Sequence, residues 1–95
     1  MAADTTQQIP SIGRIVHFVL ADGQNSGQHR PAIVLRCWGD TPGASVNLLV
    51  FLDGENDGAL DGNSVVWVTS VTPAPAESNT VRSYHFPEYV PAVRS

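Results

Sequence analysis

Hydrophobic residues along the chain fall into five short blocks bounded by Gly, Pro, Asp or Asn, and none repeats with the 3.6-residue period of an amphipathic helix. Residues 14–20, Arg-Ile-Val-His-Phe-Val-Leu, are rich in β-branched and aromatic side chains between Gly13 and Asp22-Gly23, which predicts a first strand. A polar loop occupies residues 21–28. Residues 32–38 then predict a second strand with Pro31 at its first position, because proline has no N–H to give to a ladder. Residues 45–53 predict a third strand, apolar on both faces for part of its length and therefore central. Residues 53–63 hold three Asp-Gly pairs, a tight-turn signal. Residues 64–71 predict a fourth strand, with Val65, Trp67, Thr69 and Val71 on one face, Val66, Val68 and Ser70 on the other, and Trp67 expected to fill the core. Residues 80–86 predict a short fifth strand before Pro87 and Pro91. Five short strands with a long first loop and at most one helical turn predict an all-β fold, a small SH3-like barrel or roll.

Ninety-five residues make one domain. The pattern assigns residues 11–90 to the barrel, with 1–10 as a flexible leader and 91–95 as a tail. Only 15% of residues are charged, against about 25% in an ordinary soluble domain. So uncharged a surface predicts company, and self-association is the expected form. The cations are five arginines without a single lysine, against nine acids and a formal charge of −4. That balance argues against duplex DNA or long RNA as the main partner, since backbone binding rests on many Lys and Arg contacts. It leaves open a compact anionic ligand, because one arginine fork can hold a phosphate on an acidic protein. Cys37 is the only cysteine, so no intramolecular disulfide or thiolate zinc cluster can form, and a cytoplasmic location is expected. Residues 1–8 lack the basic and apolar regions of a signal peptide, and no apolar run is long enough to span a bilayer; no membrane partner is expected.

The candidate chemistry gathers where the first loop runs into the second strand. Arg30 is placed to clamp an anionic group, Asn25 and Gln28 to supply neutral hydrogen bonds, and His29 stands beside them. The aromatic cluster at 84–89 is hard to bury completely, so the tail either folds back as a barrel lid, the favoured arrangement, or forms an interface, and Tyr84 and His85 join the candidate surface. His17, His29 and His85 could be imagined as a three-histidine site with an open fourth position, yet they lie in different segments and nothing in their spacing enforces it. No metal and no cofactor are therefore expected. Residues 53–64 loosely echo a calcium loop, but Ser64 stands where a bidentate glutamate belongs, and a solvated acidic hairpin loop is the expectation. Ser26, Ser64, Ser70 and Cys37 carry no nucleophile signature, so no catalytic residue is named.

Two resemblances bear on function. Gly13, Ile15, Val16, Gly23, His29-Arg30-Pro31-Ala32, Val34 and Leu35 resemble the start of the MazF/Kid-type toxin endoribonucleases, over about a quarter of the chain. That resemblance implies an SH3-like barrel in which Arg30 would bind a scissile phosphate. The position that looks equivalent to the family's loop acid is Asn25, which exchanges no proton at neutral pH, and Leu52, Asp53 and Gly54 stand where a hydroxyl residue is common. More of the chain looks like small uncharacterised proteins of tailed phages and prophages: Gly13-Arg14-Ile15-Val16-His17, His29 to Val34, the strand at 46–51, Val66-Trp67-Val68-Thr69-Ser70-Val71 and Tyr84-His85-Phe86-Pro87-Glu88. This second resemblance implies an accessory or virion role and no established activity. The expectation is a non-catalytic binding module for a small nucleotide-like anion or a protein partner, with Asn25, Gln28, His29, Arg30, Tyr84 and His85 as its contact residues. The rival readings are a virion decoration or connector protein and a ribonuclease toxin or its diverged descendant.

Overall fold

The computed structural model describes residues 8–21, 23–58, 64–75 and 78–87. Five strands close into a barrel, β1 (Ile15–Val19), β2 (His29–Cys37), β3 (Val46–Phe51), β4 (Val65–Pro73) and β5 (Ser83–His85), consistent with a small SH3-like barrel. The first four are antiparallel neighbours. β5 completes the circle, antiparallel to β1 with His17 opposite His85, and parallel to β4 with Pro73 opposite Tyr84. Period-two alternation points Val16 and Phe18 of β1, Ala32 and Val34 of β2, Val46, Leu48 and Val50 of β3 and Tyr84 of β5 into one buried cluster. Each large apolar side chain so buried contributes about 1.5–3 kcal/mol. Among the described residues no helix is long and apolar enough to cross a membrane.

β2 begins three residues earlier than the pattern suggested, and Pro31 sits inside it rather than at its start. The recorded β2–β3 register begins at Ala32 opposite Val50, so the missing N–H at Pro31 falls beyond that ladder, where β2 pairs with β1. A larger difference concerns Trp67, which is 60% exposed on the outer face rather than in the core. Val66 and Val68 alternate against it. The expected face shared by Trp67 and Val71 is split by an extra residue in β4: the partners Leu48–Val68 and Val46–Val71 leave one unmatched position near Ser70, whose φ is +57°. This bulge turns Val71 inward.

Asn47 holds that irregularity together. Its Oδ1 accepts from Ser70 N at 2.9 Å, Thr69 Oγ1 at 2.9 Å and Trp38 Nε1 at 3.0 Å. The β2 register also slips beside it, between Val34 and Arg36, so Asn47 fills the place where both neighbouring strands bulge. Two loops then shape one end of the barrel. The β1–β2 loop is closed by Leu20 N donating to Gln28 O and Gly27 N to Leu20 O, both 2.9 Å. After β3, a 3-10 turn over Gly54–Asp57 ends at Gly58, whose φ of +85° is a left-handed cap.

Candidate functional site

The residues expected to form one surface separate into three places. Asn25, Gln28 and Arg30 do meet, but they meet around Asp57, a member of the acidic loop expected to be solvated. Arg30 Nε and Nη2 donate to the two oxygens of Asp57 at 2.6 and 2.7 Å, a two-pronged ion pair. Asn25 Nδ2 and Asp53 N also donate to that carboxylate, at 2.7 and 2.6 Å. The remaining guanidinium bonds run from Nη1 to His29 O at 2.8 Å and from Nη2 to Gln28 Oε1 at 3.1 Å. The Asp57 side chain is 1% exposed and that of Arg30 15%. The hydrogen bonds from Arg30 hold the Asp57 carboxyl well below the usual carboxylate range, outweighing the opposing effect of burial, while the bonds from Asp53 N and Asn25 add to the shift. The same pair raises the Arg30 value. In this arrangement Arg30 clamps an anion of its own chain and pins the 3-10 turn to the start of β2.

His29 and His85 go to a second place, where they join His17. Their rings come from β2, β5 and β1, three neighbouring strands, with centroids 4.7 Å apart for His29 and His85, 5.3 Å for His17 and His85 and 6.2 Å for His17 and His29. His29 Nε2 lies 2.7 Å from Asn79 Oδ1. Burial, with the neighbouring His29 as a smaller contribution, lowers the proton affinity of His17. Among the described residues these three side chains could hold a metal, since one ring nitrogen of each lies within 4.8 Å of the others. The spacing along the chain gave no sign of this, because the convergence depends on which strands become neighbours.

Tyr84 goes to the third place, the core. It is 0% exposed, its hydroxyl donates to Ala44 O at 2.7 Å, and burial pushes its pKa up to about 12. Its ring meets Phe86 edge-on at 6.1 Å instead of standing free to stack on a ligand.

The feature that sequence reasoning missed is the outer face of the sheet. Ile15 pairs with Ile33, Ile33 with Leu49 and Leu49 with Trp67, so one apolar row crosses four strands without interruption. Phe51 and Val65 form the next pair beside it, and both are exposed, as are Ile15, Leu35 and Trp67. At about 4.8 Å between strands the row is roughly 15 Å long, and the patch presents on the order of 500 Å² of apolar surface. The signal was present in the sequence as apolar residues on both faces of the third strand, read as burial when one of those faces is open.

Comparison of the chain with protein-family models, with curated proteins and with solved structures returns no match.

Proposed function

We propose that this protein is a non-catalytic β-barrel interaction module that functions as a pair of identical chains joined through the outer sheet face. The carrying observation is the uninterrupted row Ile15, Ile33, Leu49 and Trp67. A monomer gains nothing by holding Trp67 in water, whereas a two-fold pair covers the same patch on both copies at once. A standard interface needs about 800 Å² from each partner, and a patch on the order of 500 Å² supplies an apolar centre of that scale. The row contains no charged residue, so two copies meet on this face without opposing like charges despite the net charge of −4. Arg30 is not assigned an anion-binding role in this reading, because Asp57 already occupies its fork.

Size-exclusion chromatography with light scattering tests the proposal. The wild-type chain is expected to run as a dimer at micromolar concentration, and Trp67→Glu as a folded monomer with an unchanged far-ultraviolet circular dichroism spectrum. A wild-type monomer at high concentration, or a Trp67→Glu chain of unchanged mass, overturns the dimer. Specific cleavage of unstructured RNA by the purified chain overturns the non-catalytic assignment.

A further inference from the structure

We infer that His17, His29 and His85 form a binding site for a borderline divalent transition cation, Zn²⁺ in the first instance, with a fourth coordination position left open. The chain has three histidines in all, at positions far apart in sequence, and the barrel brings every one of them to a single spot. A packing role could be filled by any aromatic ring; convergence of imidazoles alone is what a nitrogen-ligand site requires.

The geometry is close to that of a bound state. The three ring nitrogens lie within 4.8 Å of one another, while a tetrahedral ion with Zn–N bonds of about 2.0–2.1 Å asks for separations of roughly 3.4 Å. The backbone is already held, because His17 and His85 are register partners on β1 and β5, and His29 lies diagonally from His17 across the β1–β2 ladder, opposite Val19.

The surroundings favour ligation as well. An amide oxygen can only accept, so in the 2.7 Å contact His29 Nε2 donates to Asn79 Oδ1, which leaves Nδ1 as the nitrogen to offer a metal. Fixing a ligand tautomer by a hydrogen bond to the far nitrogen is the usual role of an outer-shell partner. Asn79 itself is held at a φ of +52°. Three imidazoles without thiolate suit Zn²⁺, Ni²⁺ and Cu²⁺ and disfavour Mg²⁺ and Ca²⁺, which want oxygen. His17 and His29 are half-buried and His85 is buried, so solvent reaches part of the cluster and water can take the fourth position.

The test is titration of the chelator-stripped chain with Zn²⁺ by calorimetry, together with Co²⁺ as a spectroscopic probe. The expected result is one equivalent per chain at micromolar affinity or better, a raised melting temperature, and the intense visible bands of four-coordinate Co²⁺ without sulfur charge transfer. His17→Ala and His29→Ala, both at half-buried positions, are expected to remain folded by circular dichroism and to lose at least tenfold in affinity. His85→Ala is not relied on, because the site is buried. Absence of binding by the folded wild type, full binding by both variants, equal binding of Mg²⁺, or a Co²⁺ spectrum showing Cys37 as a ligand overturns the inference.

Discussion

Replacing Asp57 by Ala takes the carboxylate from four donors, Arg30 Nε and Nη2, Asn25 Nδ2 and Asp53 N, of which Nη2 keeps Gln28 Oε1 and Nδ2 keeps Asn56 O. Removing one partner of a buried ion pair costs about 3–5 kcal/mol, because the other charge is left without compensation. Arg30 keeps some contact with water, its side chain being 15% exposed, so the lower end, about 3 kcal/mol, is expected. At roughly 0.1 kcal/mol per residue a domain of this size holds on the order of 10 kcal/mol in total. With an m-value of about 1 kcal/mol per M, the urea midpoint of Asp57→Ala falls by about 3 M. The double variant Arg30→Met with Asp57→Ala is expected to lose less than the sum of the two single variants, since both remove the same pair. The pair also sets an acid limit. The folded Asp57 carboxyl binds its proton far less readily than the unfolded one, whose ordinary value is about 3.9. Below that value the unfolded chain takes up a proton that the folded chain refuses, so stability is full above it and is lost as pH falls toward the depressed folded value. In Asp57→Asn this part of the acid slope disappears. A midpoint for Asp57→Ala within about half a molar of wild type, or strictly additive double-variant losses, would refute the reasoning.

Other expectations concern the core and its irregular strand. Tyr84→Phe leaves Ala44 O without its buried donor and is expected to cost about 1–2 kcal/mol in chemical denaturation. Asn47→Ala removes the acceptor shared by Trp38, Thr69 and Ser70; a loss of about 2–4 kcal/mol and weakened amide-exchange protection around Ser70 are expected. Val50→Ala, fully buried in β3, is expected to cost about 2–3 kcal/mol, whereas Trp67→Ser changes the stability of the monomer by less than about 0.5 kcal/mol. Equal losses at Val50 and Trp67, measured in dilute solution, would place Trp67 in the core after all.

The fold was legible because alternation and turn chemistry are local. Residues 14–20, 45–53 and 64–71 each carry their strand signal within a few positions, and the observed strands fall on them. Trp67 was misassigned because one bulge near Ser70 reverses the side on which later residues fall, and a bulge leaves no reliable trace in hydropathy. The candidate site was less legible, since its partners are distant in sequence. Arg30 announced itself by its position before Pro31, but its counter-ion lies 27 residues away in a loop rich in acids and glycines. His17 and His85 meet through barrel closure between β1 and β5, a pairing that no spacing rule anticipates. The cluster at 84–89 is hard to bury completely on composition alone, yet within it Tyr84 finds both a core position and an acceptor for its hydroxyl at Ala44 O.

Sedimentation equilibrium of the unmodified chain across a range of concentrations tests the account most directly. Two copies joined through the row Ile15, Ile33, Leu49 and Trp67 predict a mass of roughly 20 kDa, twice the 10.1 kDa of one chain, reversing to the single-chain mass on dilution. A mass of 10.1 kDa at every concentration would contradict it.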